Sequence, residues 1–299
     1  MSSMYETKIC SHAAIKLCNP WFEESIKGIS GCFKNKFYGI ISHQCFQMST
    51  CLTCNQSCIY CWAPTERKGT IQKWEDSNYI VVAALNMYRR LVSQYRFLSL
   101  VDQKRVEEAM QPKHVAISLY GESTLYPYLP ELINEFQNKD LTVFLTTNGT
   151  NPEMVEKITP TQLILSLNAP DEETYNKICR PSSKKLWRKI NETLEIFNSV
   201  NVRTVIRIVL MKGLNLKKIE GFTKLIEKGN PHFIEVKSYE HIGAARKRLH
   251  QSMRPSYVDI RCFAEKLSLM TNYKIINEEK KQQVILMSRG SLDPLLKKN

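Results

Sequence analysis

Short runs of Val, Ile and Leu recur along this chain, separated by stretches whose apolar positions follow helical spacing. Residues 115–121 (VAISLYG), 142–148 (TVFLTTN), 162–168 (QLILSLN), 202–210 (VRTVIRIVL) and 233–239 (FIEVKSY) are nearly continuous in apolarity. That is the pattern of strands buried on both faces. An earlier strand is expected to include residues 37–42 and a last edge strand residues 283–288. Helices are expected over residues 78–91, 128–138, 172–178, 184–200, 216–228 and 257–270, with Asp171 placed as an N-cap. Strand and helix alternate about six times, which predicts parallel βα units. The expected fold is one α/β domain, a partial (βα)6 TIM-like barrel, with its chemistry at the C-terminal strand ends.

Composition narrows the class. Of 299 residues, 43% are hydrophobic and 24% charged, which is globular usage and excludes a disordered chain. No apolar run is long enough to cross a membrane, and the first residues carry no apolar signal core. A cytoplasmic protein is therefore expected. Lys and Arg number 42 against 29 Asp and Glu, a net charge of +13. Such an excess attracts polyanions, nucleic acid among them, although solubility alone also accounts for it.

Cysteine placement is the sharpest feature. Cys10, Cys18, Cys32, Cys45, Cys51, Cys54, Cys58 and Cys61 crowd the first fifth of the chain, leaving only Cys179 and Cys262 elsewhere. In a reducing compartment clustered thiols point to metal or redox work rather than disulfides. Cys54, Cys58 and Cys61 form C-x3-C-x2-C, three thiolates able to hold three irons of a cubane and leave the fourth open. Adding Cys51 gives a rival four-thiolate zinc reading. Zinc ribbons, however, separate their paired cysteines by about 15–20 residues, and here the gap is far shorter.

The triad, with Tyr60 before its last cysteine, resembles the cluster loop of the radical S-adenosylmethionine superfamily. Gly121-Glu122, Thr147-Asn148-Gly149 and Leu165-Ser166-Leu167-Asn168 end three successive strands, where that superfamily places cofactor contacts. Further upstream, HAAIKLC (12–18), GCFKNKFYG (31–39) and SHQCFQM (42–48) resemble the 4-demethylwyosine synthases, a tRNA-modifying family within it. CWAP (61–64), GESTLYP (121–127), SLNAP (166–170) and EVKSY (235–239) add to that resemblance. Ser123 stands where the family usually has proline.

The resemblance implies two [4Fe-4S] clusters, one on Cys54, Cys58 and Cys61 and a second on Cys18, Cys32 and Cys45. From spacing alone those last three would read as buried apolar residues. It further implies S-adenosyl-L-methionine held by Glu122, Asn148, Ser166 and Asn168, each of which could otherwise be an ordinary strand-end polar group. The implied reaction joins N1-methylguanosine beside the anticodon of tRNA(Phe) to pyruvate, forming a third ring; the family is classed as carbon–carbon lyases. Pyruvate would chelate the open iron of the second cluster or form a Schiff base with Lys34, Lys36 or Lys237. Longer members of the family carry a flavodoxin-like domain; this chain resembles the short form without one, which implies a separate flavodoxin- or ferredoxin-like electron donor, and a monomer is expected.

Two basic clusters are candidates for the tRNA surface: Arg180, Lys184, Lys185, Arg188 and Lys189, then Arg246, Lys247, Arg248 and Arg254. A solvated helix face is the plain alternative for the first. Residues 1–50 are read as an extension carrying the second-cluster cysteines, 51–245 as the barrel core and 246–299 as a basic C-terminal extension. Two rival functions are a glycyl-radical-activating enzyme of the same superfamily and a zinc-dependent RNA-binding module.

Overall fold

Alternate residues of the apolar strands pack into two different cores, so each strand is covered on both faces. Phe46, Val115, Val143, Leu163, Ile206 and Ile234 join a core shared with the helices. Cys45, Ala116, Phe144, Ile164, Val205 and Phe233 join a separate cluster. Period-two alternation puts the two sets on opposite faces, and the continuous apolarity of the sequence follows directly.

The computed structural model describes residues 7–64, 71, 73–98 and 100–296. Its strands are β1 Thr7–Lys8, β2 Ala14–Leu17, β3 Cys45–Ser49, β4 His114–Ile117, β5 Thr142–Thr147, β6 Gln162–Ser166, β7 Arg203–Leu210, β8 Phe233–Ser238, β9 Lys274–Glu279 and β10 Val284–Ser288. Its helices are α1 Trp21–Ile26, α2 Phe33–Tyr38, α3 Ser77–Ser93, α4 Gln103–Ala109, α5 Leu129–Gln137, α6 Pro152–Val155, α7 Glu172–Cys179, α8 Leu186–Phe197, α9 Ile219–Gly229 and α10 Tyr257–Met270. Strands β3 to β8 pair in sequence order and in parallel, the expected partial (βα)6 barrel. Antiparallel strands extend it: β2 and β1 beyond β3, β10 and β9 beyond β8.

Asp171 caps α7, accepting from the Thr174 backbone N–H at 2.7 Å. Two expectations are corrected. Residues 37–42 are not a strand: α2 occupies 33–38 and ends at Gly39, whose φ of +75° suits glycine. The first parallel strand is Cys45–Ser49. Nor is 283–288 an edge strand. β10 is buried along its length because the more polar β9 covers its outer side. The sheet runs unbroken across positions 50 and 245. Helix α2 and its flanks close the barrel interior, with Phe37 and Tyr38 packed into the inner cluster. No described helix is long and apolar enough to cross a membrane.

Candidate active site

The C-terminal strand ends meet the loop that follows β3. Cys54, Cys58 and Cys61 line a cavity of about 170 Å³ together with Tyr60, Tyr120, Glu122, Asn148 and Ser166. The backbone shapes this loop. Gly121 has φ +78°, and a Cβ there would lie 1.9 Å from the Cys51 carbonyl oxygen, so only glycine fits. Ser57 and Ile59 donate their N–H groups to Cys179 and Ile178 carbonyls at 3.0 and 2.9 Å, tying the loop to the end of α7.

The thiols are pushed up, Cys58 first by its contact with the Cys179 thiol and then by burial, Cys61 by burial. Three thiols lining one cavity, each able to bind a different iron, are a donor set that fits a four-iron cluster. Zinc on four cysteines is corrected: Cys51 is fully buried and turned to Thr53, its Sγ 3.2 Å from the hydroxyl.

Glu122 lines the cavity, yet its carboxylate is already engaged. It accepts from the Thr124 and Thr147 hydroxyls at 2.6 Å each and from the Asn148 N–H at 2.8 Å. Burial pushes this carboxyl up, and those donors pull it back. Glu122 thus locks the ends of β4 and β5 together. Asn148 donates to Asn55 Oδ1 at 2.9 Å, joining the β5 end to the cysteine loop. Ser166 lines the cavity with no side-chain partner among the described residues. Asn168 departs from its expected place. It is buried outside the cavity lining, with its amide spent on the Tyr60 hydroxyl and the Val209 N–H.

Inside the barrel the structure gathers what spacing could not. Cys18, Cys32 and Cys45 sit close enough to disturb one another. Burial first and then the Cys32 thiol push Cys18 up to about 12, while Lys34, Lys16 and Lys237 counter it. Burial likewise raises Cys45, and the charge of Lys34 opposes it. Ser42 and Gln47 donate to Cys32 and Cys18 sulfurs at 3.5 and 3.4 Å. Lys34 is buried with its ammonium 5.4 Å from the Phe144 ring centroid. Lys237 reaches the same space, its amine pulled down by burial. Lys36 is corrected: it points outward and donates to the Glu278 carbonyl at 2.6 Å, beside the Glu279 carboxylate.

The chain as a whole is similar to proteins of known kind. Residues 48–226 match the radical SAM superfamily and residues 228–289 match the wyosine base formation family. The chain is 42% identical to the S-adenosyl-L-methionine-dependent tRNA 4-demethylwyosine synthase of Pyrococcus abyssi, covering 95% of this chain and 85% of that protein. It belongs to the tRNA 4-demethylwyosine synthase family. The Methanocaldococcus jannaschii member is 39% identical over 94% of this chain and 92% of its own length. A solved structure of TYW1 with a lysine-pyruvate adduct superposes with a TM-score of 0.90 at 38% identity, covering 97% of this chain and 95% of that one.

The basic residues divide. Arg180 follows Cys179, and its carbonyl also accepts from Ser57, so it flanks the cysteine loop with Lys184 and Lys185 exposed beyond. Arg188 and Lys189 are partnered by Glu192 and by Glu192 with Glu153. On the other flank Arg246 and Lys247 are exposed, while Arg254 lies 3.5 Å from Glu240. Arg248 is corrected: its guanidinium donates to the Cys61 carbonyl, which makes it a clamp on the loop.

Proposed function

We propose that this protein joins N1-methylguanosine of tRNA(Phe) to pyruvate, giving 4-demethylwyosine with loss of the pyruvate carboxyl carbon, a carbon–carbon lyase reaction in the cytoplasm. The observation that carries it is the pairing of two cysteine triads, one at the strand ends and one in the lumen beside Lys34. The names of its relatives agree.

Cys54, Cys58 and Cys61 would hold one four-iron cluster; with S-adenosylmethionine bound there it supplies hydrogen abstraction by one-electron chemistry. Asn148 and Ser166 stand at the cavity wall to hold the methionine carboxylate or ribose. Glu122 fixes the strand ends and offers its remaining acceptor capacity to the amino group. Cys18, Cys32 and Cys45 would hold a second cluster.

Lys34 is the residue for pyruvate. Its amine adds to the keto carbon and water leaves, forming an iminium. Lys34 meets no carboxylate at ion-pair distance among the described residues, whereas Lys237 stands 3.7 Å from Glu240. The lysine-pyruvate adduct in TYW1 agrees with this route. Arg180, Lys184, Lys185, Arg246 and Lys247 would take tRNA phosphates on either side of the opening, with the modified base flipped inward. A flavodoxin- or ferredoxin-like protein would deliver the electron.

Anaerobic incubation with methylated tRNA, pyruvate, reductant and S-adenosylmethionine tests the reading. Nucleoside mass spectrometry should find the tricyclic base. Its absence from a preparation that cleaves S-adenosylmethionine would overturn it.

A further inference from the structure

Beyond Lys34 the lumen holds a second group with unmet chemistry. Arg207 on β7 donates through Nε to Glu235 Oε2 at 2.6 Å. Glu235 on β8 is fully buried, and its other oxygen accepts from the Tyr38 hydroxyl at 2.6 Å. That arrangement engages Nε and leaves Nη2 buried without a partner. A buried, unpaired guanidinium donor asks for an anion.

The neighbouring charges ask for the same thing. Arg207 and Lys237 both lie over the Phe33 ring, at 6.0 and 5.9 Å from its centroid. Lys34 follows Phe33 in α2 and adds its charge to both Glu235 and Lys237. Three cations therefore share a space in which Glu235 is already divided between two donors and Glu240 reaches only Lys237. Like charges packed so closely out of water repel strongly unless an anion enters between them.

We propose that Arg207, with Lys237 beside it, forms a carboxylate-binding site in the barrel lumen that seats a short 2-oxo acid and presents its keto carbon to Lys34. The site rests on the pyruvate reading above and specifies its recognition step. A planar guanidinium with a free N–H suits a carboxylate, and a buried cation favours the charged acid over neutral carbonyl compounds of equal size. Glu235, itself held by the Tyr38 hydroxyl, fixes the guanidinium through Nε, and Nη2 keeps its donors unspent. Arg207 is thus a specificity residue, distinct from the nucleophile.

The test compares pyruvate with its uncharged methyl ester in borohydride trapping on the cluster-loaded enzyme, read by the mass of the Lys34 peptide. Wild type should favour the acid by about tenfold or more, as one buried charge-assisted hydrogen bond predicts. In the charge-neutral pair Arg207→Gln with Glu235→Gln that preference should collapse while the ester still reacts, and in Arg207→Lys, which keeps the cation but lacks the planar fork, it should fall part of the way. Circular dichroism and iron content identify variants that fold. A preference surviving in the folded charge-neutral pair, or equal loss of acid and ester trapping, would overturn the site. A wild type that traps neither compound would overturn the pyruvate reading and this site with it. A wild type that traps the ester as readily as the acid would overturn the site alone.

Discussion

The guanidinium of Arg248 donates to the backbone carbonyl of Cys61, and the adjoining Ala244 N–H donates to the Trp62 carbonyl at 2.8 Å. Gly243, at φ +53°, allows this approach, since a Cβ there would meet the Trp62 carbonyl at 2.4 Å. The strap that carries the exposed cations Arg246 and Lys247 is therefore bonded to the end of the cysteine loop.

Neighbouring arginines should then fail differently. Arg248→Gln should lower iron content and S-adenosylmethionine cleavage about tenfold even without tRNA, the scale of one lost charge-assisted bond. Arg246→Glu with Lys247→Glu should leave that cleavage intact and weaken tRNA binding. The salt slope should fall by about one for each phosphate contact removed. Filter binding across a salt series and 5′-deoxyadenosine release distinguish them. Identical behaviour of the two variants would sink the division.

Cys51→Ala should retain nearly full iron content, whereas Cys58→Ala should lose one cluster and all reductive cleavage. Cys51 is turned to Thr53, while Cys58 faces the cavity. Iron analysis and chromatography of the cleavage products measure both.

Much of this was legible beforehand because strands buried on both faces write themselves as apolar runs, as in VFL at 143–145 and LIL at 163–165. β9 (KIINEE) escaped because its pattern is polar, and with it went the interior position of β10. The C-x3-C-x2-C loop was legible because its ligands are local. Cys18, Cys32 and Cys45 were not, since β2, α2 and β3 bring them together only in three dimensions. The resemblance alone indicated them. Arg207 carried no signal at all: an arginine inside an apolar strand becomes meaningful only once Glu235 is seen across the register.

Acid should destabilise the protein through His114. Burial pulls its pKa down to about 4, and the ring accepts the Ile41 N–H at 3.0 Å through Nε2. Below about pH 6.5 the unfolded chain takes up a proton that the folded one refuses. Its contribution is complete above pH 6.5 and lost as pH falls towards 4, up to about 3 kcal/mol. Thermal melts of wild type and His114→Asn should converge in pH slope only above pH 6.5. Parallel slopes down to pH 5 would contradict the assignment.

The three lysines should separate under borohydride with labelled pyruvate. Lys34→Ala should lose the label, and Lys36→Ala should keep it, its ammonium being spent on the Glu278 carbonyl. Lys237→Ala should react more slowly without abolishing the adduct, since it removes a neighbouring charge. Label remaining at full level in Lys34→Ala would move the nucleophile to Lys237.

The two cysteine triads should separate by task. Cys32 lies at the N-terminus of α2, beside the plug that carries Lys34, and its sulfur touches Ser42 rather than any residue of the cavity at the strand ends. Removing it leaves Cys54, Cys58 and Cys61 untouched. Cys32→Ala should lose about half of the iron yet still cleave S-adenosylmethionine. It should make no tricyclic base, because the bound pyruvate would lack the iron beside Cys18 and Cys45. Pyruvate should also perturb the iron spectrum of wild type and not that of the variant, a readout independent of turnover. Product at the normal rate from Cys32→Ala would remove the lumenal cysteines from the reaction and leave pyruvate to Lys34 and Arg207.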